Sequence, residues 1–193
     1  MIWDISQEVL SCKVFPGDPA PAKEQLCSIA QGDLCNLTSF SMCSHNGTHV
    51  DAPAHFIQDG KTIDQMGLDA FAGDCLVVRR EGAVSAEDAE QILEQAVAAG
   101  AAERILIAGK ATLTAGAARV FAKANIKLYG NESQTVGPED APVEVHKILL
   151  GAEIVLLEGV VLKEVPEGKY LLCAAPLNMA GCEGAPCRAI LMK

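Results

Sequence analysis

Hydrophobic and polar positions alternate near the amino terminus and give way to longer apolar runs further along. Ile2-Trp3-Asp4-Ile5-Ser6 alternates as a half-buried strand does, and Thr38-Ser39-Phe40-Ser41-Met42 repeats that character. Between them, Phe15-Pro16-Gly17-Asp18-Pro19 is dense turn chemistry. From Asp74 onward the pattern becomes strand, helix, strand. Cys75-Leu76-Val77-Val78 is a short apolar strand; Ser85 with Asp88 three residues later opens a helix as a capping box, and Gly100 stops it. Arg104-Ile105-Leu106-Ile107-Ala108-Gly109 is a buried-strand run, Thr114 caps a second helix through Ala124, and Ile126-Lys127-Leu128-Tyr129 is the next strand. Pro142 suits the first position of a helix reaching Leu150. Residues 153–159 form a strand whose end carries Glu158, and residues 169–174 and 188–192 give two more, joined by a Gly- and Pro-rich loop. Strands alternating with helices of this length require crossovers and at least partly parallel pairing. With 193 residues, 50% of them hydrophobic, and no repeat or linker, the pattern predicts one domain over residues 1–193.

One stretch does not belong to the pattern of a core. In Ser44-His45-Asn46-Gly47-Thr48-His49-Val50-Asp51-Ala52-Pro53-Ala54-His55-Phe56 stand three of the chain's four histidines, with a carboxylate among them. His45, His49, Asp51 and His55 are all odd positions, so an extended backbone projects them to one side. Gly47, β-branched Thr48 and Val50, and Pro53 argue against a helix here. Gly47 shares the parity and leaves room for an ion or substrate to approach the backbone. Imidazole suits zinc, manganese, iron or nickel, and a carboxylate can bind one ion or bridge two. The reading is therefore an extended segment carrying a metal site, rather than a set of hydrogen-bonded structural histidines.

Charge and cysteine usage narrow the partners. A formal charge of -10 disfavours nucleic acid, because phosphate binding needs clustered Lys and Arg. No apolar run approaches the roughly 18 residues of a spanning helix, and Met1-Ile-Trp-Asp-Ile lacks the order of a signal peptide, so the cytoplasm is expected and no membrane. Eight cysteines without a Cys-x-x-Cys pair read as reduced thiols, several buried. Cys43 shares the parity of His45 and is either a pocket-lining thiol, a soft ligand or a packed side chain.

The histidine stretch resembles the cyclase-like metal hydrolase family, which includes bacterial kynurenine formamidase, isatin hydrolase and proteins described as polyketide cyclases. The family signature His-x-Gly-Thr-His-x-Asp-x-Pro-x-His is matched without a gap. Asp4-Ile5-Ser6 and Phe15-Pro16-Gly17-Asp18-Pro19 resemble the family's opening; Glu158-Gly159, Pro166-Glu167-Gly168-Lys169-Tyr170, Pro176-Leu177 and Gly184-Ala185-Pro186-Cys187-Arg188 resemble its end. The resemblance implies an α/β fold, a swivelling β/β/α-type domain with mixed sheets and helices on one side. It implies His45, His49 and Asp51 as ligands of a first metal, Asp51 bridging to a second held by His146 and Glu158, and His55 as general acid/base. The imidazole and carboxylate mixture suits a divalent metal, zinc or manganese, with one or two ions per subunit, and the resemblance implies a small-molecule substrate and a homodimer or homotetramer. One segment departs: where relatives acting on aryl amides carry a Thr-Gly-Trp-like stretch, this chain has Gly109-Lys110-Ala111-Thr112. With a single Trp and 4% aromatic residues, it offers few rings for stacking.

The chemistry expected from this is hydrolysis of a small amide, N-formyl amide or cyclic amide through a metal-bound hydroxide. Competing readings are a metal- or small-ligand-binding protein without turnover, a cyclase or lyase acting on a small carbonyl substrate, and cysteine chemistry using Cys43 with His45 or His49.

Overall fold

In the computed structural model, which describes residues 1–193, the chain forms β1 (Ile2–Asp4), β2 (Ala22–Cys27), β3 (Leu37–Ser41), β4 (His49–Asp51), α1 (Leu68–Phe71), β5 (Ala72–Arg79), β6 (Gly82–Val84) and α2 (Ala86–Ala99). It continues with β7 (Arg104–Ala108), β8 (Ala111–Leu113), α3 (Ala115–Ala124), β9 (Leu128–Asn131), α4 (Val143–Gly151), β10 (Val155–Glu158), β11 (Gly168–Cys173), β12 (Gly184–Pro186) and β13 (Ile190–Met192).

Nine strands make one mixed sheet in the order β1-β13-β11-β5-β7-β9-β10-β4-β12. The consecutive pairs β5–β7, β7–β9 and β9–β10 are parallel, and antiparallel strands flank them on both sides. Because these four strands are laid down in one direction and parallel crossovers are right-handed, α2, α3 and α4 all pack on the same face. The burial pattern agrees. Leu76, Ile105, Tyr129 and Leu156 face Ile92, Phe121 and Leu149 of the helices in one core of 22 buried residues. The alternate side chains, among them Val77, Leu106, Leu128 and Leu157, meet Ile5, Val50, Tyr170 and Leu191 in a second core of the same size, enclosed by the curl of the sheet itself. Strands buried on both faces read as near-continuous apolar runs, which is why 104–108 was legible as a strand.

The helix ends fall where the caps predict. Ser85 and Asp88 exchange side-chain-to-backbone hydrogen bonds in a capping box, Thr114 accepts from the Ala117 N–H, and Gly100 closes α2 in the left-handed conformation. Several expectations need correction. The strands expected at 153–159 and 188–192 are shorter, β10 and β13, because Glu153 still lies in the turn out of α4 and Arg188 and Ala189 precede the ladder to β11. The strand expected at 126–129 is β9, two residues later, because Ile126 and Lys127 complete the turn out of α3. Part of the carboxyl-terminal loop is β12, which pairs with β4 through Gly184↔Asp51 and Pro186↔His49. And the strand expected at 38–42, leading into the histidine stretch, is β3 at Leu37–Ser41, which lies outside the nine-stranded sheet and pairs only with β2 in a separate two-stranded hairpin whose residues are almost all exposed.

Candidate metal centre

The histidine stretch is not one extended segment. Only His49–Asp51 is a strand; His45 lies in a turn before it and His55 in the 3₁₀ turn Pro53–His55 after it. The four side chains still converge, because β4 places His49 and Asp51 on one face, two residues apart, while the turns fold the flanking histidines back over that face. Gly47 also has a different role from the one expected. It adopts φ +67, and an added Cβ would crowd Cys12 rather than an ion site.

Strand pairing brings the distant ligand candidates in. Glu158, at the end of β10, is the register partner of His49. His146 sits on α4, the crossover between β9 and β10, and is buried rather than solvated. Asp51 Oδ1 lies 2.9 Å from His45 Nδ1 and 3.5 Å from His49 Nε2, while its Oδ2 lies 3.8 Å from His146 Nε2. Glu158 bridges in the same way, with Oε2 3.5 Å from His49 Nε2 and Oε1 3.2 Å from His146 Nε2. Two overlapping trios result, His45–His49–Asp51 and Asp51–His146–Glu158, each with ligand atoms within 4.8 Å of one another and Asp51 common to both.

Two imidazoles have their protons fixed by carbonyl acceptors. His49 Nδ1 donates to the Gly47 carbonyl at 3.0 Å and His146 Nδ1 to the Pro142 carbonyl at 2.8 Å. A carbonyl can only accept, so in both neutral rings Nε2 is the bare nitrogen, and both Nε2 atoms face the carboxylates. This is the arrangement by which outer partners orient metal-ligating histidines. His49 Nε2 and Asp51 Oδ2 are buried with no hydrogen-bond partner. Orphaned buried acceptors are costly, and two buried carboxylates ringed by imidazoles call for a cation.

The titration behaviour follows from the same crowding. Burial alone would lower the His45 pKa, but Asp51 and Glu183 outweigh it and raise it to about 9. Burial acts likewise on His49 and His146, and their carboxylate neighbours again outweigh it, so both are raised. Asp51 is held well below the usual carboxylate range: the imidazoles beside it overcome its burial. His55 alone among the histidines is lowered, chiefly by burial. Its ring stacks on His45 at 4.1 Å between centroids and stands beside Phe56, which in turn stacks on His146 at 4.5 Å.

Several supporting residues were not read as site residues from the sequence. Glu183 accepts from Ser44 Oγ at 2.7 Å and lies 3.1 Å from His45 Nε2. Gly184 leaves room for the His45 ring, which an added Cβ would meet at 2.6 Å. Thr48 donates to the Gly159 carbonyl at 2.7 Å and accepts from the Gln7 N–H at 2.9 Å, pinning the histidine turn to the end of β10. The only available signal was position next to matched motif residues. Cys43 belongs to neither trio; its sulfur lies 3.9 Å from Asp18.

Comparison with known proteins agrees with this architecture. Residues 3–138 match the family profile described as putative cyclase. The chain is 32% identical to a kynurenine formamidase from Erythrobacter litoralis over 98% of this chain and 93% of that protein. A kynurenine formamidase from Paracidovorax citrulli is 34% identical over 99% and 96%. Among solved structures, isatin hydrolase A from Labrenzia aggregata superposes with a TM-score of 0.83 at 20% identity, covering 99% of this chain and 93% of that one. A potential metal-dependent hydrolase with cyclase activity superposes at 0.82 and 24% identity over 99% and 96%. At those identities the structural likeness speaks for the fold.

Proposed function

The chain belongs to the putative cyclase family, and from that premise we propose that it is a metal-dependent amidohydrolase cleaving the C–N bond of a small N-formyl amide or cyclic amide. The observation that carries the reading is the orientation of two rings: His49 and His146 each direct Nδ1 to a backbone carbonyl and so turn Nε2, bare whenever the ring is neutral, toward the shared Asp51 and Glu158. That donor set fits a divalent cation. His45, His49 and Asp51 would hold one, and Asp51, His146 and Glu158 a second, with zinc or manganese favoured by the mixture of imidazole and carboxylate. Such a cation supplies Lewis acidity, polarising the substrate carbonyl and lowering the pKa of water from about 15.7 to about 7.

The chain's own residues do the rest. His55 is the one histidine whose surroundings favour the neutral ring, so it can accept the proton of the attacking water and return it to the departing nitrogen. The C–N bond breaks as that nitrogen is protonated, releasing an amine and a carboxylate. Glu158 is anchored by the Val136 N–H at 2.9 Å, and Phe56 covers His146 with an apolar ring, which together keep the carboxylate oriented and water out of one side.

The remaining expectations are part of the same proposal. The hairpin of β2 and β3 exposes Leu26, Leu34, Leu37 and Phe40, which supports a homodimer or homotetramer in which this arm is covered. No helix is long and apolar enough to cross a membrane, and we assign the enzyme to the cytoplasm.

The test is a screen of the metal-loaded protein against N-formyl aryl amines, including N-formylkynurenine, and cyclic amides such as isatin. Turnover abolished by a chelator and restored by metal is expected; ligand-dependent thermal stabilisation without turnover would make the protein a binding module instead.

A further inference from the structure

The segment that departs from the family pattern, Gly109-Lys110-Ala111-Thr112, lines a second cleft of about 920 Å³. The cleft follows the carboxyl ends of the four parallel strands: Arg79 ends β5, Gly109 follows β7, Glu132 follows β9, and Val160 lies just past β10. Ligands of α/β sheets bind along this edge, where the loops diverge and backbone groups are free of the ladder.

The charge of the cleft runs against that of the chain. The protein has 15 Lys and Arg against 25 Asp and Glu, yet Lys13, Arg79, Lys110 and Lys163 all border this one opening. Lys13, Arg79 and Lys110 make no ion pair, and Lys163 reaches only Glu164, at 4.0 Å and with both side chains more than four-fifths exposed. Two of the acids that share the wall are committed to the backbone. Glu132 accepts the Gly109 N–H at 2.6 Å and the Leu162 N–H at 2.9 Å, and Glu81 accepts the Lys110 N–H at 3.2 Å. They fix the loop that carries Lys110 without neutralising its ammonium group. With Glu139 the wall holds three acids against four bases, one net positive charge in a chain whose formal net charge is -10, and Ser133 and Thr112 add hydroxyl groups. A net positive lining on a concave, hydroxyl-bearing surface of an otherwise acidic protein raises the local concentration of anions there.

We propose that this cleft is a second ligand site, separate from the metal centre, for a small dianion bearing a phosphate group or a pair of carboxylates. Its floor adjoins the centre: the Gln7 side chain donates to the Gly159 carbonyl at 2.8 Å, the Gly159 N–H donates to the Ser133 carbonyl at 2.7 Å, and Gly159 directly follows Glu158. The inference needs neither the proposed reaction nor a bound metal.

Amide chemical shifts of the full chain, titrated with inorganic phosphate and, separately, with succinate against sodium chloride of equal ionic strength, test it. Repeating the titration on His49→Ala separates anions bound at the cleft from anions captured by a metal. Saturable shifts at residues 110–112, 133 and 160–163, present in both proteins, are expected. Lys110→Glu should weaken them about tenfold, the equivalent of one lost charge-assisted hydrogen bond. Lys123→Glu, an exposed lysine elsewhere, should not. Saturation by phosphate alone or by both anions identifies the ligand class. Linear, unsaturable shifts, shifts only around His49 and Asp51, or equal affinity in Lys110→Glu would each overturn the proposal.

Discussion

His49 and Glu158 are register partners across the antiparallel pair of β4 and β10, and His49 Nε2 stands 3.5 Å from Glu158 Oε2. The site is thus written into strand register. Asp51, two residues along β4, falls on the same face and opposes Leu156, so a one-residue slip would turn both ligands away together. His146 reaches the same point because α4 is the crossover that delivers β10 to its place beside β9.

Replacing His55 by Ala should lower kcat by roughly 10²–10⁴-fold while the metal content stays that of the parent, since His55 lies in neither ligand trio. Because burial lowers its pKa below the ordinary imidazole value of 6.5, and a neighbouring cation acts in the same direction, the neutral base persists into mildly acid solution. The acid limb of the kcat/KM profile should therefore fall below pH 6.5 and be absent from the residual activity of the variant. Loss of metal on substitution would make His55 a ligand.

Thr48→Val removes the hydroxyl of a buried residue, 4% exposed, that donates to Gly159 and accepts from Gln7. The shape is kept, but the Gln7 N–H loses its acceptor and the turn bearing His45 and Gly47 is released from β10. A loss of about 1–3 kcal/mol in unfolding free energy is expected by denaturant titration, together with weaker metal binding. Unchanged stability would show that this tie is not structural.

Thiol chemistry can be separated from metal chemistry directly. Burial pushes the Cys75 and Cys187 thiols up to about 12, and no cysteine belongs to either trio. Alkylation of the folded protein should modify exposed Cys35 readily and leave turnover intact, measured by mass spectrometry beside an activity assay. Inactivation that tracks modification of Cys43 would restore the cysteine reading.

The helices and central strands were legible because their signals are local. The Ser85–Asp88 box, the Thr114 cap and the apolar run at 104–108 each act within a few residues. The parity argument expected four side chains to converge, and they do, but by a different backbone: it assumed one extended strand, whereas turns at His45 and His55 supply the convergence. What sequence could not give is pairing between remote segments. β12 was read as loop because Gly184-Ala185-Pro186 has no strand propensity, and only its ladder to β4 makes it one. For the same reason Glu183, brought to His45 by that ladder, was missed. The exposed hairpin of β2 and β3 alternates as a sheet strand does, and nothing in that alternation says that it lies outside the main sheet.

The central claim, that His146 and Glu158 join His45, His49 and Asp51 in one cation-binding centre, is tested most directly by metal stoichiometry. Elemental analysis after reconstitution with zinc or manganese and removal of free ion should find up to two ions per chain in the parent. His146→Ala should lose the ion shared by Asp51 and Glu158, and His49→Ala should bind the metal at least about tenfold more weakly, in proteins whose circular dichroism is unchanged. A folded parent that retains no metal, or variants that hold as much as the parent, would contradict the account.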